Sequence, residues 1–384
     1  MIAAPLRLSR ERIAMYAALL TAICLVQVKF VVAQGFGDWS SFWSAGATAG
    51  TPNLLDPHNH IAWQTAHHLP TTIFPYLPGM AWFWVPFTPF SLPVSYGLNF
   101  LLMALITIGA GMLAARIYRM APALTMVLLF AWAPVTAALS TGQNSPVGLL
   151  LSLAAIFGIV ANSSVIAGLA VGLLLYKLPY ALPFVILLVL RRNVRALAVV
   201  VLCAAIWYVL SVAATAGDWN WPQHYASALH AYFGPDARYN AVKAISVPSL
   251  LMRGGVDQTI AIIAGAAIFA IAIPLLVRMP LLEAASFTPL LALAASPHVL
   301  PYDLALAAPA LFYLMTHASE PLRTLLLCVL YLLAPLWLLS GVLHFDVLAI
   351  ICDGLAIAWI LKGYNESTPR RHFDIADTRD RGKT

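Results

Sequence analysis

The stretch GLNFLLMALITIGAGMLAA, residues 97–115, carries no charged side chain and no alternation of polar and apolar positions. A helix of about 20 residues crosses the hydrocarbon core of a bilayer. Inside lipid the backbone must satisfy its own hydrogen bonds, and a continuous apolar run does so as an α-helix rather than as a barrel strand. The stretch is therefore typical of a transmembrane helix.

Apolar runs of this kind recur along the whole chain of 384 residues, which is 61% hydrophobic and 9% charged. A soluble globular domain is about 25% charged. We predict an all-α polytopic membrane protein with about 10–12 transmembrane helices and two long polar connections, 34–75 and 215–258. The candidate spans are approximately 13–33, 76–92, 97–115, 121–139, 145–161, 164–190, 196–214, 259–276, 284–296, 302–316, 322–340 and 345–361.

Two of these regions are ambiguous. Residues 74–93 contain five prolines, and in residues 164–190 Lys177 is followed by two prolines. Broken helices at membrane depth occur only where protein or a wet cavity covers the freed backbone. The count is about twelve if both regions cross fully and about ten if both re-enter. In the smaller count Arg116 and Arg119 move to the more basic side.

The distribution of basic residues predicts the orientation. In the twelve-span count, 14 of the 21 lysines and arginines fall on one side, which the positive-inside rule assigns to the cytoplasm. We therefore expect both termini in the cytoplasm and the loops 34–75 and 215–258 on the outer face. Residues 1–362 are expected to form one membrane domain, and residues 363–384 a disordered cytoplasmic tail.

Several function classes lack their motifs in this sequence. The four cysteines all lie in apolar runs, so that no disulfide framework is predicted. There is no phosphate-binding glycine loop, zinc-binding histidine motif or nucleophile elbow, and we expect no cofactor, no metal and no nucleotide donor. The basic residues lie in short loops and tails, which argues against nucleic acid as a partner.

Asp38 is the first candidate for chemistry. It follows the first apolar run by a few residues, in the sequence GDWSSFWSAGATAG of residues 37–50. A carboxylate at the membrane surface, beside aromatic residues such as Trp43, has the chemistry of a general base toward a hydroxyl group. The alternative is structural, with Asp38 as the N-cap of an interfacial helix over residues 39–49.

The sequence SPHVLPYDL, residues 296–304, is a second candidate. His298, Tyr302 and Asp303 stand between two apolar runs, and two prolines prevent a continuous helix through them. His298 has the chemistry to bind a phosphate or to orient a base. The alternative is an ordinary proline-rich loop in which Asp303 caps the next helix.

The sequence TGQNSP, residues 141–146, also separates two apolar runs. Gln143 and Asn144 carry amide groups that can both donate and accept hydrogen bonds, as sugar hydroxyls require. The alternative is a helix–helix turn in which Asn or Ser caps the following helix.

Cations are the remaining candidates. Lys177 lies within an apolar run, where a charge is expensive and marks a functional site by default. It can pair with a lipid phosphate, or it can reach an interface with its long side chain. Arg238 and Lys243, in the second outer loop, are further candidates to bind phosphate, and the alternative for them is that they are isolated surface charges.

The order of these motifs resembles glycosyltransferase family 87, membrane proteins similar to polyprenyl-phosphate-mannose-dependent α-mannosyltransferases of bacteria. The chain has DWSSFWSAG after the first span, then FPYLPG, then TGQNSP, then AGLAVGLLLYKLPY followed by RRNVR, and finally SPHVLPYDL. The resemblance covers residues 30–310, and the GQN and G-x4-K-x-P elements are the most specific part of it.

The resemblance implies a C-type glycosyltransferase fold and an inverting enzyme of the bacterial cytoplasmic membrane. Its donor is a polyprenyl-phosphate sugar, and its acceptor is a glycolipid or glycan hydroxyl at the outer face. Asp38 matches the position of the base, His298 a polar position near the donor, and Gln143 and Lys177 recurring positions. Trp43 departs from the family pattern, which often has tyrosine there.

Two functions without chemistry are the alternatives. A polytopic transporter or lipid flippase uses intramembrane charges as a gate. A non-catalytic subunit of an envelope-assembly complex needs none of these side chains to react. An outward-facing site that contains Asp38 and His298 favours the enzyme over both.

Overall fold

A computed structural model describes residues 35–71, 74–239, 244–332 and 346–367, together with scattered residues between 18 and 33. Within these ranges the side chains of 231–239, 330–332, 346–350 and 363–367 are not described. Most of the predicted tail, 368–384, lies outside the described residues, and residues 363–367 continue the last helix.

Every regular element of the described residues is helical, as predicted. The α-helices are α1 (Trp39–Thr48), α2 (Pro57–Ala66), α3 (Leu92–Tyr118), α4 (Pro122–Ala131), α5 (Ala133–Thr141), α6 (Ser145–Val160), α7 (Ser164–Leu174), α8 (Leu178–Leu190), α9 (Val194–Ala214), α10 (Trp221–Tyr239), α11 (Val247–Arg253), α12 (Gln258–Arg278), α13 (Leu281–Ala295), α14 (Ala308–His317), α15 (Glu320–Leu326) and α16 (Asp346–Ser367). Short 3₁₀ segments cover Pro52–Leu54, Pro78–Phe83, Val85–Phe87 and Pro301–Ala307, and a π-helical segment covers Leu327–Leu332.

Three of the described helices, α3, α9 and α12, are each long and apolar enough to cross a membrane. The pair α4 and α5 would make a fourth span, but it bends by 67°. The sequence analysis predicts a single span over residues 121–139, and the structure bends within that range. The bend has a local cause. Pro134 cannot donate a hydrogen bond to the carbonyl of Phe130, and the Thr136 hydroxyl donates to that carbonyl instead, at 2.9 Å. Among the described residues, α6, α7, α8 and α13 are shorter apolar helices that pack in the same bundle.

The structure resolves both ambiguous regions. Residues 74–93 form two 3₁₀ segments rather than a span. Residues 164–190 form the hairpin α7–α8, which is broken at Lys177 as the sequence indicates. Asn162 and Arg191, at the two ends of this hairpin, line the same cavity. The hairpin therefore begins and ends on one side of the bundle and turns at the other.

The helices run between two ends of the bundle. At one end, which we call the site end, Asn99 near the start of α3 donates to the carbonyl of Gly142 at 3.3 Å. At the other, the basic end, the Arg116 guanidinium lies 4.9 Å from the ring centroid of Phe157 near the end of α6. Arg116 therefore shares an end with Arg191, as the smaller span count predicts.

Small residues allow the central helices to approach closely. A Cβ added at Gly158 of α6 would lie 2.4 Å from the backbone nitrogen of Ala167 in α7. Inside lipid the hydrophobic effect does not drive helices together, because the lipid tails are as apolar as the helix surfaces. Close packing at small residues drives their association instead. The packing of α6 on α7 holds the hairpin, and with it Lys177, in place.

Candidate active site

Asp38 does not act as a helix cap. It stands before α1 with helical backbone angles, and its carboxylate accepts no hydrogen bond from the first turn. It accepts one instead from the side chain of Gln143, with 2.6 Å between Nε2 and Oδ2. The next residue, Trp39, is fully buried and donates from its indole to the Ser95 hydroxyl at 3.0 Å. The carboxylate therefore stands on a fixed helix start and faces a turn 105 residues away.

The turn after α5 presents Gln143 to this carboxylate. Gly142 adopts a left-handed conformation with φ +74°, and a Cβ there would lie 2.8 Å from the Cβ of Trp39. Only glycine combines this backbone conformation with so close an approach. Gln143 is 3% exposed, and its Oε1 accepts a hydrogen bond from the Tyr76 hydroxyl at 3.3 Å. The orientation of the Gln143 amide is thereby set at both ends.

Lys177 forms a buried ion pair. Its Nζ lies 2.6 Å from Oδ1 of Asp303, and the two side chains are 16% and 1% exposed. The same Nζ donates to the Tyr180 hydroxyl at 2.8 Å, and that hydroxyl donates to Asp303. The other Asp303 oxygen accepts from the backbone nitrogen of Leu300 at 3.0 Å. Lys177 therefore does not extend to an interface, and Asp303 binds both the cation and its own turn.

Tyr76 joins the two groups. Its hydroxyl binds Gln143, which binds Asp38, and its ring centroid lies 5.8 Å from the Lys177 Nζ. The ring centroid of Tyr302 lies 6.0 Å from the same nitrogen. A carboxylate and an ammonium group thus lie on one chain of contacts at the site end, although they come from residues 139 positions apart in a sequence of 384.

The other predicted residues have varied positions. His298 is half-buried in the loop between α13 and the 3₁₀ segment that holds Asp303. Trp43 is half-buried, 6.2 Å from the ring of Trp63. Asn144 is fully buried, and its side-chain amide has no hydrogen-bond partner among the described residues. The side chain of Arg238 and the whole of Lys243 lie outside what the structure describes.

The sequence analysis named Tyr302 but missed two other tyrosines of the site. Tyr76 and Tyr180 lie within the quoted FPYLPG and YKLPY motifs, but aromatic residues near an interface are so common that neither was singled out. The spacing of Tyr180, three residues after Lys177, is the signal that was available. Residues three apart meet on one side of a helical turn.

A buried histidine network was also missed. His60 of α2 is 1% exposed and lies within hydrogen-bonding distance of Ser44 and Gln64, at 3.2 and 3.1 Å. Burial lowers the pKa of His60 to about 4, because a charged imidazolium loses its hydration there. The neutral ring joins α2 to α1, and so supports the helix whose start carries Asp38.

Within the described residues, a helical membrane bundle that holds the carboxylates of Asp38 and Asp303 and the ammonium group of Lys177 at one end defines an integral membrane protein with a polar site. Comparison with known families identifies the class of protein. The sequence model of glycosyltransferase family 87 matches residues 74–301, and the chain belongs to that family. No curated protein and no solved structure gives a match.

The family match confirms the resemblance in the sequence and makes the chain a membrane glycosyltransferase. The matched region contains Gln143, Lys177 and His298, and it ends two residues before Asp303. Asp38 precedes it. The geometry that joins Asp38 to Gln143 is therefore a separate observation from the family match.

Proposed function

We propose that the protein transfers a hexose, mannose in the first instance, from a polyprenyl-phosphate sugar to a hydroxyl group of a glycolipid or glycan. The reaction inverts the anomeric carbon, and Asp38 is the general base. The observation that carries this proposal is the contact chain from Asp38 through Gln143 and Tyr76 to Lys177. It supplies a base and a cation at one site, the two groups that such a displacement needs.

The base acts on the acceptor. The acceptor hydroxyl transfers its proton to the Asp38 carboxylate as its oxygen attacks the anomeric carbon. The bond from that carbon to the phosphate oxygen breaks on the opposite face, and the lipid phosphate leaves with the electron pair. Gln143 holds one carboxylate oxygen at 2.6 Å, and a carboxylate has about four lone-pair positions, so that an acceptor hydroxyl can share it.

The cation acts on the leaving group. An ammonium group has three N–H donors, and the described partners of Lys177 are the Asp303 carboxylate and the Tyr180 hydroxyl. The third N–H can reach a phosphate oxygen, since the side chain is 16% exposed. A preorganised donor stabilises charge that develops on the leaving oxygen. We assign Asp303 and Tyr180 to positioning Lys177.

The remaining predicted residues are assigned further contacts with the two substrates. We propose that the sugar is contacted by Gln143, Tyr302 and Trp43. We propose that His298 donates a second hydrogen bond to the phosphate, and that the outer-loop cations Arg238 and Lys243 contact the phosphate as well. Asn144 is fully buried and would reach a sugar only after rearrangement.

The site end is proposed to face outward in the bacterial cytoplasmic membrane. Arg116, Arg191 and Arg195 lie at or near the basic end, and clustered arginines in short loops favour the cytoplasmic side. Both termini are then cytoplasmic, and the active site opens to the outer leaflet. A lipid-linked donor can reach such a site by lateral diffusion in the membrane, whereas a soluble nucleotide sugar cannot diffuse in this way.

The test is turnover by the purified chain in lipid vesicles with a panel of polyprenyl-phosphate hexoses and glycolipid acceptors. Asp38→Asn is expected to lower the transfer rate at least about 100-fold, because it removes the general base, while donor binding persists. Asp56→Asn is the matched control, since Asp56 is exposed in the same outer loop and only caps α2. Equal rates in wild type and Asp38→Asn would refute Asp38 as the base, and failure to bind any lipid-linked sugar would refute the donor class.

A transporter or flippase remains the second candidate because of one observation, the ion pair between Lys177, at the turn of the α7–α8 hairpin, and the buried Asp303. Ion pairs within membrane segments also serve as gates. In the same vesicles a flippase would move the lipid-linked sugar between leaflets without releasing polyprenyl phosphate. Formation of polyprenyl phosphate by wild type and not by Asp38→Asn decides for the enzyme.

A further inference from the structure

A cavity of about 360 Å³ lies at the basic end, between the ends of the α7–α8 hairpin and the start of α13. Its polar lining is Asn162, Arg191, Arg192 and Asn193. Lys177 and Arg191 stand at opposite ends of α8, whose 13 residues span about 20 Å at 1.5 Å per residue. The cavity is therefore separate from the candidate active site.

Among the residues that the structure describes, the lining of the cavity is positively charged and contains no acid. Arg191 and Arg192 are the charged residues that line it. Glu283, two residues beyond Leu281 of the lining, accepts hydrogen bonds from Tyr313 and Trp359 at 2.9 and 3.0 Å. That carboxylate is already committed to other partners. No described carboxylate therefore lines the cavity beside the two guanidinium groups.

Arg191 is held in place with donor capacity to spare. Its Nη2 donates to the carbonyls of Leu276 and Met279 at 2.8 and 2.9 Å, which fixes the plane of the guanidinium. Its Nε is buried and has no hydrogen-bond partner in the part of the chain that the structure describes. A buried donor without a partner is costly, and a guanidinium presents donors in a fork that fits a phosphate.

The surroundings of the arginines are apolar. Ile159, Leu187, Leu188 and Leu281 complete the lining. The nearby side chains of Val189 and Val194 are 53% and 72% exposed on the outer surface of the bundle. A ligand with a phosphate beside an aliphatic chain matches both parts, because the phosphate meets the guanidinium groups while the chain continues along lipid-facing helices.

We propose that this cavity binds the phosphate headgroup of an anionic phospholipid. Basic pockets between membrane helices recognise such headgroups. The bound lipid would join the hairpin α7–α8 to α12 and α13, since Arg191 already contacts the end of α12 through Leu276 and Met279. This binding is independent of the sugar-transfer chemistry at the other end of α8.

The test uses the purified full-length chain in detergent, with its thermal unfolding followed during titration with a short-chain phosphatidylglycerol. Phosphatidylcholine of the same chain length and inorganic phosphate are titrated in parallel. The phosphatidylglycerol is expected to raise the melting temperature saturably, and phosphatidylcholine to have little effect. Inorganic phosphate that reproduces the rise at the same concentrations would overturn the assignment to a lipid.

The variants are Arg192→Gln and Arg195→Gln. Arg192 lines the cavity and is exposed, so that its replacement is expected to leave the packing intact, whereas Arg195 is also exposed but is not among the residues that line the cavity. Arg192→Gln is expected to weaken the apparent affinity about tenfold, because a hydrogen bond to a charged group is lost, and Arg195→Gln to leave it unchanged. Equal weakening by the two variants, or by neither, would overturn the proposal.

Discussion

Removal of the charge on Lys177 tests how far the buried ion pair stabilises the bundle. Lys177→Met keeps an unbranched side chain of similar length and leaves Asp303, which is 1% exposed, without its cation. At 2.6 Å the attraction between the charges is about 6 kcal/mol for an effective dielectric constant near 20. Part of that offsets the desolvation of both groups, and the expected loss on breaking such a pair is about 3–5 kcal/mol.

The double variant Lys177→Met with Asp303→Asn separates the charge from the contact. An asparagine at 303 is neutral and still accepts a hydrogen bond from the Leu300 nitrogen, as Asp303 does. We expect the double variant to regain most of the lost stability, because no uncompensated charge remains buried. Both variants are expected to lose sugar transfer, since neither has a cation for the leaving phosphate.

The assay is reversible unfolding in mixed micelles, followed by tryptophan fluorescence, beside the transfer rate of each variant in vesicles. Lys362→Met is the matched control, because its Nζ lies 3.8 Å from Glu283 and its side chain is 57% exposed, so that less than about 1 kcal/mol is at stake. A double variant no more stable than Lys177→Met would refute the electrostatic reasoning. Retained transfer in either variant would refute the role of Lys177 toward the phosphate.

Two further predictions concern the supports of Asp38. Gly142→Ala places an alanine with left-handed backbone angles against Trp39, which costs about 1–2 kcal/mol for the backbone alone. The control is Gly217→Ala, which has the same type of strain at φ +88° but open space around it. We expect Gly142→Ala to reduce the transfer rate far more than the control, and equal rates in the two variants would contradict this. Because the pKa of His60 is lowered to about 4 from 6.5, the unfolded chain binds its proton first, so that stability falls by up to about 3 kcal/mol from pH 6.5 down to pH 4 and then levels off. His60→Gln should abolish that component of the pH dependence in a denaturation series, and an unchanged pH profile would argue against a buried neutral ring.

Some of the fold is local and was predictable. The apolar runs predict helices because a lipid-embedded backbone must satisfy its own hydrogen bonds, and a continuously apolar run does so as a helix rather than as an alternating barrel strand. The lack of a continuous helix over residues 74–93 and the break at Lys177 both follow from proline, which has no N–H to donate and a fixed φ. The bend between α4 and α5 has the same cause at Pro134, and closer attention to that proline would have divided the predicted span 121–139.

The prediction of candidate residues depended on charge, and it omitted their partners. An acid at the start of α1 and a lysine inside an apolar run are conspicuous because such groups are costly near lipid. Tyr76 is not conspicuous, since tyrosine is common at membrane interfaces. Its hydroxyl nevertheless joins Gln143 to the surroundings of Lys177.

The sequence by itself determined the helical class, the membrane environment and the identity of the rare polar groups, because each depends on composition or on neighbours a few residues away. Only the tertiary structure decided that Lys177 pairs with Asp303, 126 residues away, and that Gln143 binds Asp38, 105 residues away. The physical reason lies in the helix surfaces. Their lipid-facing and partner-facing sides are both apolar, so that periodicity does not reveal which helices meet, and close packing at small residues decides it instead.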